Sequence, residues 1–70
     1  MNNINLNSYP EGVSIHPNAY VDQGAQLHAN VVIDQGAIIG SKVIIGSGTK
    51  VGPNSIIQGN TTIGKNNKIY

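Results

Sequence analysis

Seventy residues with no cysteine, tryptophan or phenylalanine, 39% hydrophobic and only 10% charged, leave room for one small domain and exclude a disulfide-stapled or thiolate-metal fold. A net charge of +1, from four lysines against three carboxylates with no arginine, excludes a basic nucleic-acid footprint, and tyrosines scattered at 9, 20 and 70 make no stacking platform. The amino end carries no basic signal region, and no run approaches the roughly 18 apolar residues of a membrane span, so a soluble protein of a reducing cytoplasm is expected.

Residues 1–14 match the pattern that follows only at Tyr9 and Val13, and are expected to form a leader, loosely ordered or the start of a first coil. From Ile15 onward a six-residue beat takes over. Ile15, Val21, Leu27, Ile33, Ile39, Ile45, Val51, Ile57, Ile63 and Ile69 form one column, ten aliphatic residues without exception. Four places after each member stands a small or β-branched residue in all but the last case: Ala19, Ala25, Val31, Ala37, Val43, Thr49, Ser55, Thr61 and Asn67. Three places after each, eight of nine residues are asparagine or glycine, with Lys42 the exception. Both types tolerate positive φ, so this slot is expected to turn the chain through a left-handed backbone.

Six suits neither a helix at 3.6 residues per turn nor a flat strand at two. It suits a short strand, with its small and aliphatic residues facing inward, followed by a three-residue corner. Three corners close a triangle, so the expected fold is all-β: a left-handed parallel β-helix of about three coils over residues 15–70, reaching the first residues of a fourth. That layout reads as the front of a longer solenoid or a fragment. A small antiparallel sheet with turns at the asparagine and glycine positions is the alternative.

The residue before each column aliphatic points outward, and residues eighteen apart stack on one wall. One wall carries Ser14, Val32, Lys50 and Lys68; a second carries Gln26, Ile44 and Thr62; the third carries Tyr20, Ile38 and Ile56. The third is apolar on every rung, which marks Tyr20, Ile38 and Ile56 as the expected contact of a symmetric homo-oligomer.

Candidate chemistry is sparse. His16 and His28 are the two residues that ordinarily titrate near neutrality, and both take the first corner slot, on different corners. His16 lies one coil below Asp34, so a His-Asp pair is geometrically possible. No nucleophile or second acid joins them. Two histidines on separate corners do not make the three- or four-ligand set of a zinc site. Gly59 to Asn66, "GNTTIGKN", nearly spells a phosphate-binding loop, but Asn66 replaces the magnesium-binding hydroxyl and no helix pattern follows. No residue is assigned to catalysis, to a cofactor or to a metal.

With its hexads, "IHPNAYVDQGAQLHANVVIDQG" and "IQGNTTIGKNNKIY", the chain resembles the hexapeptide-repeat acyltransferases. The opening I-H-P-x-A is shared by many of them. The closing I-x-G-N-T-x-I-G-x-x-N-x-I-Y is more like the branch that acylates UDP-N-acetylglucosamine in lipid A synthesis. The resemblance implies a cytoplasmic homotrimer that moves a hydroxyacyl chain from acyl carrier protein to the sugar 3-hydroxyl, without a metal or organic cofactor. It further implies that the catalytic histidine and the substrate contacts lie beyond Tyr70. A non-catalytic β-helical assembly module and part of a coenzyme A-dependent acetyltransferase stand as alternatives.

Overall fold

The computed structural model describes residues 9–70. Of the leader expected over residues 1–14, residues 1–8 lie outside the described residues; Tyr9 and Val13 pack against the core beside the first strand.

Ten short strands follow the six-residue beat: β1 Ser14–Ile15, β2 Tyr20–Val21, β3 Gln26–Leu27, β4 Val32–Ile33, β5 Ile38–Ile39, β6 Val43–Ile45, β7 Lys50–Val51, β8 Ile56–Ile57, β9 Thr61–Ile63 and β10 Lys68–Ile69. All pair in parallel with the strand one coil away, giving three sheets in the orders β1-β4-β7-β10, β2-β5-β8 and β3-β6-β9. Register follows the eighteen-residue coil: Ile15 pairs with Ile33, Val21 with Ile39 and Leu27 with Ile45. Three parallel sheets wound in this way form the left-handed parallel β-helix that the hexads predict, a solenoid of about three turns. No hairpin interrupts the described residues, which excludes the antiparallel alternative.

The aliphatic column fills the tube. Leu27, Ile33, Ile39, Ile45, Val51 and Ile57 are buried together with Val31, Ala37 and Val43 of the small column. Ile15, Val21, Ile63 and Ile69, the first two and last two members of the same column, are only partly buried. The small column turns polar toward the carboxy end. Thr49 is fully buried and satisfied: its hydroxyl donates to the Gly64 carbonyl (2.7 Å) and accepts from the Asn67 N–H (3.2 Å). Ser55, also buried, has a hydroxyl with no partner.

The corners stack into three ridges, and here the structure corrects the expectation that every third corner residue is left-handed. On the ridge that follows β3, β6 and β9, Asn30, Gly48 and Asn66 have φ of 63°, 75° and 56°. On the ridge after β1, β4 and β7, Gly36 and Asn54 do the same, at 72° and 62°. Asn18 does not; its N–H is held instead by His16 Nδ1 at 3.0 Å. On the ridge after β2, β5 and β8, none of Gly24, Lys42 and Asn60 is left-handed, and Gly59 at 77° takes that role on the last rung. There the strand starts one residue early, in β6 and β9, and the Thr61 N–H bonds to the Lys42 carbonyl. Lys42 therefore carries none of the left-handed cost that its position suggested.

Asparagine and glycine are also not interchangeable along a ridge. A Cβ on Gly12, Gly36 or Gly48 would fall 1.9, 2.2 and 2.2 Å from the Oδ1 of Asn30, Asn54 and Asn66, respectively. Each of these asparagines lies over the glycine one coil below, in space that only a missing side chain leaves open.

Candidate functional site

The ladder sets which side chains reach solvent, because alternate residues of a strand face opposite sides. In β5, Ile39 is fully buried while Ile38 is 37% exposed; in the same sheet Tyr20 is 57% and Ile56 63% exposed. Tyr20, Ile38 and Ile56 pair in register, so they form one continuous apolar strip up a single wall. Tyr20 and Ile56 leave an isolated chain with large apolar groups in water, at roughly 25 cal/mol per Å².

The polar edge of this strip is Asp22. Its Oδ2 accepts the Tyr20 hydroxyl at 3.1 Å, and its Oδ1 accepts the Gly24 N–H at 2.9 Å, closing the corner. The hydrogen bond to Asp22, and next its negative charge, hold the Tyr20 phenol above the usual tyrosine range. The strip thus begins on a tyrosine whose ring is apolar contact area and whose hydroxyl is already engaged.

His16 and Asp34 occupy the same ridge one coil apart, yet each serves its own corner. His16 Nδ1 accepts the Asn18 N–H, which leaves the ring proton on Nε2, and Asp34 Oδ1 accepts the Gln35 N–H at 2.7 Å. His16 thereby does for its corner what Asp22 does for the next. His28 lies on another ridge, where its backbone N–H bonds to the Ile45 carbonyl. Among the described residues no three His, Asp or Glu side chains gather where a metal could be held. The segment resembling a phosphate loop is strand β9 with a corner on either side, and the described residues contain no helix.

One feature escaped the sequence reading. On the wall of β1, β4, β7 and β10, the ridge residues beside Val32, Lys50 and Lys68 are Asp34, Gly52 and Tyr70. A shallow depression of about 230 Å³ on this wall is lined by Asp34, Lys50, Pro53, Lys68 and Tyr70, while Gly52 faces backbone, since a Cβ there would meet the Ile69 carbonyl oxygen at 2.7 Å. The signal was present: Lys50 and Lys68 repeat at the eighteen-residue coil spacing.

The described residues form a parallel β-solenoid with an unbroken aliphatic column and a registered apolar strip. Residues 42–70 match the protein family described as bacterial transferase hexapeptide (six repeats). Over those residues the chain is similar to the bacterial hexapeptide transferases. No curated protein and no solved structure matches the chain. No helix among the described residues is long and apolar enough to cross a membrane.

Proposed function

We propose that this chain is the amino-terminal β-helical part of a cytoplasmic acyltransferase that transfers a hydroxyacyl chain from acyl carrier protein to the 3-hydroxyl of UDP-N-acetylglucosamine. The observation that carries the reading is the family match at residues 42–70, on a repeat that runs unbroken back to Ile15. The closing motif ending at Tyr70 favours this branch over coenzyme A-dependent acetyltransferases. In this reading the chain is a scaffold. It sets the coil spacing for the coils that hold the reacting groups, and it supplies the wall through which three copies meet.

Tyr20, Ile38 and Ile56 are the proposed contact. A symmetric association around an axis parallel to the tube would cover the strip on every rung at once, since in-register residues rise together. Replacing Ile38 by Asp places a charge at the centre of that contact without entering the tube. Sedimentation of the wild-type chain should give three times 7.3 kDa, and Ile38→Asp should give a folded monomer. An unchanged mass for the variant would remove the strip from the interface.

The acyl-transfer reading is tested by supplying hydroxyacyl carrier protein and UDP-N-acetylglucosamine to the whole product of the gene and, separately, to residues 1–70. Activity in the first and none in the second is expected. A gene product without acyl transfer would favour the second reading, a non-catalytic assembly module.

A further inference from the structure

Two corners of one ridge share the central pair Pro-Asn and turn differently. In Gly52-Pro53-Asn54-Ser55 the asparagine is left-handed, at φ 62°, whereas in His16-Pro17-Asn18-Ala19 it is not. Proline at the second place and asparagine at the third favour the turn with positive φ at the third, so the His16 corner is the exception. It is closed in the ordinary way, the Ala19 N–H donating to the His16 carbonyl at 2.9 Å. What differs is the peptide group between its second and third residues. Above a left-handed corner, the third residue of the next coil donates to the carbonyl of the second: Gly48 to Ala29 at 3.0 Å, Asn54 to Gln35 at 2.9 Å and Asn66 to Ser47 at 2.8 Å. Above the His16 corner, Gly36 donates to the Asn18 carbonyl instead, at 3.2 Å. The Pro17–Asn18 peptide is thus flipped, and its N–H is held by His16 Nδ1 at 3.0 Å. Asp22 holds the Gly24 N–H in the same manner at 2.9 Å, and Gly24 is not left-handed either. Asp34 spends its oxygen on the Gln35 N–H, but Pro17 has no N–H to compete for His16.

We propose that the His16 corner is an acid-responsive joint: the neutral imidazole holds the Pro17–Asn18 peptide in its present orientation, and protonation of the ring releases it to the left-handed turn seen at Gly36 and Asn54. A neutral imidazole accepts at Nδ1, whereas an imidazolium carries a proton there and meets the Asn18 N–H donor to donor. Without the acceptor, Pro-Asn takes the turn that its own backbone favours. The Gly36 N–H then passes from the Asn18 carbonyl to that of Pro17, as the Asn54 N–H already uses Gln35. Asp34, one coil above in the same slot, has one oxygen on the Gln35 N–H and the other free to attract an imidazolium. Neither β1 nor β4 carries a titratable side chain, and on β2 the Tyr20 hydroxyl is engaged by Asp22. Glu11 lies on the preceding ridge, where its carbonyl accepts the Asn30 N–H, and Lys50 is in β7, a coil beyond β4 on the same wall. The joint rests on neither the acyl-transfer reading nor self-association.

The test is a proton NMR titration of the 70-residue chain from about pH 8 to about pH 5, either side of the ordinary histidine range. Positive φ at the third residue of such a turn goes with a flipped central peptide, which brings the Pro17 Hα close to the Asn18 N–H. A strong Overhauser cross-peak between those two protons is expected to appear as the His16 ring titrates, with the Gly36 N–H shifting in step. His16→Gly, which copies the Gly52 corner, should show the cross-peak at both ends of the range. His16→Asp, which copies Asp22, should show it at neither. His28→Gln should leave the response as in the wild type. A cross-peak that stays absent while the His16 ring titrates would overturn the joint, as would an acid change that His16→Asp shares.

Discussion

The ridge after β3, β6 and β9 and the ridge after β2, β5 and β8 carry asparagine or glycine at every corner but Lys42, yet fold differently. The first alternates glycine and asparagine up the stack, from Gly12 through Asn30 and Gly48 to Asn66, all with positive φ. The second runs Gly24, Lys42, Asn60 and uses no positive φ at those three places. What differs is the neighbour one coil away. An asparagine in the left-handed region projects its amide over the corner below, and a glycine there leaves room for it. After Lys42, and again after Asn60, the strand starts a residue early, and neither residue takes the left-handed step. A corner in a solenoid is therefore chosen by pairs of residues eighteen apart, and not by one residue's tolerance.

Glycine substitutions break this comparison in a graded way. Gly46→Ala should be the most damaging, since its Cβ would lie 2.6 Å from the Gly64 carbonyl carbon and 2.9 Å from the Lys65 nitrogen. Backbone cannot rotate aside, so a loss of about 3 kcal/mol or more is expected in chemical denaturation, the upper end for overpacking. Gly48→Ala should cost about 1–3 kcal/mol, combining a residue at φ +75° with displacement of the Asn66 side chain. Gly59→Ala, also at positive φ but with nothing within 4 Å, should cost about 1 kcal/mol from backbone strain alone. Equal losses at Gly48 and Gly59 would show that the stacked asparagine adds nothing.

The smallest expected effect sharpens the second ridge, where Asp22 links a corner to the apolar strip. Tyr20 should titrate above free tyrosine, whose value is 10.0, in an absorbance or NMR titration. Because the folded state holds this proton more tightly than the unfolded chain, the bond adds stability below the ordinary tyrosine range. That contribution fades as pH rises through the raised value. Asp22→Asn removes the charge and should return Tyr20 toward the free value. No change on that substitution would mean that another group raises it.

Much of the fold was legible because a tube has only one inside. Ten aliphatic residues at one spacing must share it, and the structure buries or half-buries every one of them. The outward strip was legible for the same reason: Ile38 and Ile56 each precede a column member, so the column's direction decides theirs. The left-handed rule was half right, because asparagine and glycine permit positive φ without requiring it. His16 looked like a candidate base and is a corner acceptor, a role set by the Asn18 N–H two residues along the chain and invisible in the spacing.

Spacing alone determined the period, the strand and corner positions, the inward column and the identity of the outward walls, since burial of apolar groups depends on which face they occupy. Stacking decided the rest: which corners turn left-handed, which asparagine covers which glycine, that Thr49 is satisfied while Ser55 is not, and that Lys50 and Lys68 are register partners on one wall. Those choices depend on groups eighteen residues apart meeting within a few ångströms, and contact at that range exists only once the coils are wound.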